Sequence, residues 1–114
     1  MTRKVLLVSY DKEFKDFIKI ATLTLTKLNH QITITEDLKD GHIDWVIVDM
    51  DKEEEENFSL ILATRKSELN SKIKIVAVVT QLTDDIRTRL FKSGCDSIMT
   101  KKEFQAAANN ILIF

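Results

Sequence analysis

Five short runs of aliphatic and β-branched residues punctuate this sequence, and most of the gaps between them carry apolar residues at helical spacing. Val5-Leu6-Leu7-Val8 is continuously apolar and reads as a central strand, buried on both faces. Phe14, Phe17, Ile18, Ala21, Leu25 and Leu28 then recur with the helical period, and Asp11 stands where it would cap that helix. Ile32-Thr33-Ile34-Thr35 alternates with period two, as an edge strand does. Residues 36 to 44 leave room for only a turn or two of helix, with Gly41 as its stop. Trp45-Val46-Ile47-Val48 forms the next buried strand and runs into Asp49. Asn57 is expected to cap a helix carrying Phe58, Ile61, Leu62 and Leu69. Ile73 to Val79 is the longest apolar strand and ends at Thr80. Thr83 caps a helix with Ile86, Leu90 and Phe91, which stops at Ser93-Gly94. Ser97-Ile98-Met99-Thr100 is the last strand and ends at Lys101. Phe104, Ala107, Ala108, Ile111 and Leu112 mark a closing helix. Strands alternating with helices require right-handed crossovers, so the expected fold is an α/β, doubly wound, five-stranded parallel sheet with helices on both faces.

The loops must be short, because the chain has no proline and two glycines. With 114 residues, 44% of them hydrophobic and 31% charged, residues 1–114 form a single domain with a real core. A formal net charge of -1 argues against nucleic acid as a partner. No apolar run is long enough to span a bilayer, and Met1-Thr2-Arg3-Lys4 leads into a strand and not into a signal peptide. A single cysteine, Cys95, excludes an intrachain disulfide and suits a cytoplasmic setting. Cys95 reads as inert packing, and His30 and His42 stand apart from any ligand cluster. The run Asp51-Lys52-Glu53-Glu54-Glu55-Glu56 reads as a solvated loop, and Trp45 as a packing residue.

In doubly wound sheets, ligands sit beyond the carboxyl ends of the strands. The residues there are Ser9, Tyr10 and Asp11 after the first strand, then Asp49, Thr80 and Lys101. A carboxylate can attack phosphorus, while a hydroxyl and an ammonium hold the transferred oxygens as charge builds on them.

These residues carry a resemblance to the CheY-like receiver domain of two-component response regulators, over nearly the whole chain. Asp44-Trp45-Val46-Ile47-Val48-Asp49 resembles the strand that ends in the phospho-accepting aspartate. Ile75-Val76-Ala77-Val78-Val79-Thr80 resembles the strand that ends in the hydroxyl residue. Gly94-Cys95-Asp96-Ser97-Ile98-Met99-Thr100-Lys101 resembles the last strand with its lysine. The resemblance implies the flavodoxin-like strand order 2-1-3-4-5; the second helix, shortened to a stub here, departs from the family pattern. It implies Asp49 as phospho-acceptor, with Thr80 and Lys101 contacting the phosphoryl group. It also implies a stand-alone signalling module without enzymatic activity of its own, whose partner is a sensor histidine kinase. A homodimer would form through the face built from the fourth helix, the fifth strand and the fifth helix, near Arg87, Arg89, Lys92, Lys101 and Lys102.

Departures from the family pattern fall at the site. Ser9 and Tyr10 replace the adjacent acidic residues that bind magnesium, leaving Asp49, Asp51 and Asp11 as a thin set for Mg2+. Glu53 and Asn57 replace a proline and a glycine, Lys102 replaces a proline, and Ile98 replaces a switch aromatic. The pattern is that of a degenerate receiver, or pseudo-receiver. One alternative is a small haloacid-dehalogenase-like phosphohydrolase with Asp49 as nucleophile and Asp51 as acid/base. That family carries its aspartates on the first strand, however, and here a whole strand-helix-strand unit precedes them. A flavodoxin-like cofactor binder needs a glycine-rich phosphate loop after the first strand, which Ser9-Tyr10-Asp11-Lys12-Glu13 does not supply.

Overall fold

The computed structural model describes residues 2–36, 42–66 and 72–113. Strand β1 (Thr2–Val8) leads into helix α1 (Lys12–Lys27), followed by β2 (Gln31–Thr35) and β3 (Trp45–Asp49). Then come α2 (Glu54–Lys66), β4 (Lys74–Val79), α3 (Asp84–Ser93), β5 (Ser97–Thr100) and α4 (Lys101–Ile113). The strands form one parallel sheet of order β2-β1-β3-β4-β5. The expected stub of helix before β3, with Gly41 as its stop, and the apolar position Leu69 fall at or across residues 37–41 and 67–71, outside the described residues.

Alternation along the central strands divides the core into two layers. Val5, Leu7, Ile47, Val76 and Val78 face α1 and α4, where they meet Phe14, Ile18, Leu25, Phe104 and Leu112. Leu6, Val46, Val48, Ile75 and Ala77 face α2 and α3, where they meet Phe58, Ile61 and Leu90. Pairing Leu7 with Ile47 and Ile47 with Val76 aligns the three inner strands so that they end at one rim. β2 lies at the sheet edge, as its period-two pattern predicts.

Local signals set the helix ends. Asp11 caps α1, its side chain accepting from the amides of Glu13 and Phe14, and Thr83 caps α3 through the Ile86 amide. Gly94 closes α3 at φ 109°, a left-handed conformation that glycine adopts without strain. Thr100 and Glu103 form a reciprocal capping box, each side chain bonding the other's amide. That box starts α4 directly at the end of β5, so Lys101 is both a strand-end residue and the first residue of a helix.

Several sequence expectations are corrected. Leu28 and Phe91 are 63% and 58% exposed, because each lies near a helix end and turns away from the sheet. Asn57 does not cap α2 but sits inside it, buried, since the helix already begins at Glu54. Glu54, Glu55 and Glu56 are therefore not loop; they fill the first turn of α2, where carboxylates favour the helix dipole. Two of the basic residues are engaged elsewhere. Arg89 pairs with Glu55 at 2.7 Å and stacks on Phe58, while Lys101 points into the site described below. Trp45 packs half-buried against the α1–α4 layer, with Arg3 over its ring. His42 meets Asp44 at 2.9 Å, and His30 is exposed.

Candidate functional site

The three inner strands deliver their carboxyl-end residues to one rim, and Lys101 arrives there from the end of β5. Its Nζ lies 3.0 Å from Asp11 Oδ2, 2.9 Å from Asp49 Oδ2 and 2.7 Å from Asp51 Oδ2. One ammonium thus serves three carboxylates. Its ammonium lies 5.4 Å from the centre of the Phe14 ring, which meets Phe104 edge-on.

Asp49 is the most enclosed of the three acids, at 3% side-chain exposure. Its Oδ2 also accepts the Ser9 hydroxyl at 2.7 Å, and its Oδ1 accepts the Asp51 amide at 3.0 Å. Ser9 Oγ in turn accepts the Asp11 amide, which joins the end of β1 to the acid on β3. The buried amide of Asn57 donates to the carbonyls of Asp49 and Lys52 and so pins the loop that follows the strand. A free carboxylate so buried would be costly, and these donors offset that cost.

Thr80 reaches the cluster through Asp51 and not through Asp49. Its amide donates to Asp51 Oδ1 at 2.8 Å and its hydroxyl to Asp51 Oδ2 at 2.5 Å. Asp49, Lys101 and Thr80 therefore do meet at one edge, with Asp51 as the link that the sequence pattern did not reveal. Asp11 combines its capping role with the Lys101 contact through separate oxygens. Tyr10 is 59% exposed and, with Lys12 and Lys52, lines an opening of about 240 Å³ over Asp49, Asp51 and Lys101.

The charges are mutually held. Burial works against the Lys101 ammonium, but hydrogen bonds to Asp51, Asp49 and Asp11 outweigh it and raise the lysine above its ordinary value. The bond from Lys101 holds Asp11 below the usual carboxylate value. Burial pushes Asp51 up, but Lys101 and Thr80 together bring it below that value.

The arrangement does not fit magnesium. That ion takes six oxygens at about 2.0–2.1 Å in an octahedron. Here the Lys101 ammonium already stands where the three carboxylates converge, and the Ser9 hydroxyl donates into Asp49. Among the described residues, no three His, Cys, Asp or Glu side chains are placed to hold a metal ion.

No protein-family model and no curated protein matches the sequence. Solved structures do match in shape. A response regulator from Hahella chejuensis superposes with a TM-score of 0.80 at 19% identity, covering 97% of this chain and 92% of that one. The phosphorylated cyanobacterial phytochrome response regulator RcpA gives 0.79 at 12% identity, over 97% and 91%. A response regulator from Thermotoga maritima gives 0.72 at 20% identity, over 98% of both chains. The fold is the response-regulator receiver fold. On this receiver scaffold, Asp49, Thr80 and Lys101 occupy the carboxyl ends of β3, β4 and β5, as the sequence pattern predicts. No helix among the described residues is long and apolar enough to cross a membrane.

Proposed function

We propose that this chain is a receiver-like signalling domain that works by binding another protein, with Asp49 at its phospho-acceptor position. The observation that carries the reading is the convergence of Asp49, Lys101 and the Asp51–Thr80 pair at one edge of a receiver fold. To reach the phosphorylated form, a carboxylate oxygen of Asp49 attacks the phosphorus of a phosphohistidine on a sensor kinase. The P–N bond breaks, its electron pair returns to the imidazole, and an acyl phosphate remains on Asp49. Lys101 stays with the new negative charge, and its bonds to Asp11 and Asp51 compete with that demand.

The proposed protein-binding face is α3–β5–α4, where Phe91, Arg87, Lys92 and Lys102 are exposed. Ile98, in place of a switch aromatic, is half-buried against the α2–α3 layer, which leaves Thr80 without a ring to relay its position. The reading is accordingly of a domain whose partner contact is largely constitutive and needs no magnesium. It does not turn over substrate, since an acid/base residue must exchange protons. Asp51 instead receives the Thr80 amide, the Thr80 hydroxyl and Lys101, all of which favour its ionised form.

The test is incubation with acetyl phosphate or phosphoramidate, with and without Mg2+, followed by intact-mass measurement of the native chain and Asp49→Asn. A phosphoryl adduct on the native chain alone supports Asp49 as acceptor. Its absence under every condition removes the phosphotransfer step and leaves the constitutive binding module. Continuous turnover of a phosphate ester would overturn the non-enzymatic reading.

A further inference from the structure

Helix α1 carries two apolar stripes where the fold uses only one. Phe14, Ile18, Ala21 and Leu25 face the sheet and are buried. Ile20 and Leu23 lie on nearly the opposite side, each 64% exposed. Exposed Asp16 and Lys27 extend that outer line in both directions, at spacings of four, three and four residues. This is the spacing of a heptad seam, the pattern by which one helix packs along another.

We infer that α1 is the symmetric seam of a homodimer, with α1 of a second copy lying antiparallel across Ile20 and Leu23. The charges select both the occupant and the direction. The midpoint of the stripe falls between Ile20 and Leu23, so antiparallel pairing sets Ile20 against Leu23 of the second copy. The same register sets Asp16 against Lys27 of the second copy, and the two-fold axis repeats both contacts. A parallel pair would instead oppose aspartate to aspartate and lysine to lysine, which repel. Glu13, one turn before Asp16, adds a carboxylate at the end where Lys27 of the second copy arrives.

A helix pair alone is narrow beside the roughly 1,200–2,000 Å² that stable interfaces bury. The neighbouring surface widens it. Between α1 and α4 runs an open groove of about 500 Å³, whose walls include Phe17, Ile20 and Thr24 on one side and Ala106, Ala107 and Asn110 on the other. Ile20 belongs to both stripe and groove, and the alanines of α4 leave space for side chains of the second copy. The α1 stripe lies away from Asp49, and the seam shares only α4 with the α3–β5–α4 face, leaving α3 and β5 open.

Sedimentation velocity on the full chain, from micromolar to near-millimolar concentration, is expected to show a reversible monomer–dimer equilibrium. Leu23→Glu weakens it by on the order of tenfold or more, without lowering the thermal midpoint measured at concentrations where both chains are monomeric, because Leu23 is exposed in the monomer. Asp16→Lys and Lys27→Asp each weaken it by placing like charges together, and the double variant Asp16→Lys/Lys27→Asp restores it by exchanging the two partners. A chain monomeric at every concentration overturns the proposal. So does a dimer that Leu23→Glu leaves intact, or a double variant no tighter than the single ones.

Discussion

Lys101 and Asp49 form a buried ion pair, 2.9 Å between Nζ and Oδ2, with side-chain exposures of 13% and 3%. Lys101 occupies this place because the Thr100–Glu103 capping box starts α4 where β5 stops. A cation at the start of a helix opposes the helix dipole, and here three carboxylates outweigh that opposition. The pair is thus as much a part of the scaffold as of the site, since it ties the C-terminal helix to β3.

Removing the cation strands the enclosed Asp49 without its counter-charge. Lys101→Met is expected to destabilise the fold by about 2–4 kcal/mol, the cost of breaking a buried pair from one side. The double variant Lys101→Met/Asp49→Leu should recover part of that loss by removing the stranded charge. Urea denaturation of the three proteins checks both expectations. A loss below about 0.5 kcal/mol would show the pair to be as weak as a surface one.

The same cluster sets the pH dependence of stability. Asp11 and Asp51 sit below their ordinary value of 3.8, so the stability they contribute is complete above it and falls away as pH drops through the lowered values. Lys101 sits above its ordinary value of 10.5, so its contribution is complete below that value and is lost only at higher pH. The expected profile is flat from about pH 5 to about pH 8, with a fall in acid and a fall in alkali that begins as the unfolded chain loses the Cys95 thiol proton, which the fold holds up to about 12. In Lys101→Met, Asp11 and Asp51 lose a bond that holds them low, so less stability should be lost on acidification in that variant. Thermal midpoints measured across this range would decide it, and an acid limb unchanged by the substitution would contradict the coupling.

Much of this architecture is legible in the residues. Val5–Val8, Trp45–Val48 and Ile75–Val79 are apolar throughout, which only strands covered on both faces require, whereas their order is implied by the resemblance to receiver domains and not by the pattern itself. Asp11, Thr83 and Gly94 act locally, through bonds to residues a few positions away, so their roles could be read directly. Asn57 misleads because an asparagine ahead of Phe58 reads as a cap, whereas its amide is used for bonds across the β3–α2 loop. Leu28 and Phe91 fit helical spacing, but the period does not say which way a helix end turns. The Asp51–Thr80 bond depends on how the chain bends after Asp49, where Glu53 adopts φ 56°. No spacing rule contains that bend. The box formed by Thr100 and Glu103 was in plain view as a T-x-x-E motif, overlain by the strand pattern of the preceding residues.

Asn57 offers a direct measure of how firmly that loop is held. Asn57→Leu removes donors from the carbonyls of Asp49 and Lys52, bonds of 2.9 and 2.8 Å in a residue only 4% exposed. The expected cost is about 1–3 kcal/mol, the price of leaving buried acceptors unpaired. Amide exchange should accelerate at Asp51 and Thr80 more than in the distant strand β2. Uniform acceleration across the sheet would mean global destabilisation without a local role.

Gly94 is constrained by both conformation and space. At φ 109° an added Cβ would lie 2.8 Å from Arg65 Cγ, and Arg65 Nε bonds the Gly94 carbonyl at 3.0 Å. Gly94→Ala is therefore expected to cost about 1–3 kcal/mol from backbone strain, with the Arg65 contact disturbed in addition. Arg65 also bonds Asp96, whose carboxylate accepts the Ile75 amide on β4. The damage should accordingly spread to the β4–β5 junction, visible as chemical-shift changes at Ile75 and Asp96. A shift confined to the end of α3 would limit the glycine's role to its own turn.

Cys95, one residue further on, should be silent in the folded protein. Burial pushes its thiol up to about 12, and the neighbouring Asp96 charge acts in the same direction. The thiolate is the reactive form, so at pH 8 only about one molecule in ten thousand carries it, against roughly a quarter for an ordinary thiol. Its side chain is also shut into the α2–α3 layer beside Leu90, which blocks the approach of a reagent. Labelling by a disulfide reagent at pH 8 should therefore proceed only through opening of the structure, with a rate that follows stability across Gly94→Ala and Asn57→Leu. Rapid labelling of the native chain, at a rate indifferent to those substitutions, would show that the thiol is reached without unfolding and would contradict its assignment to the core.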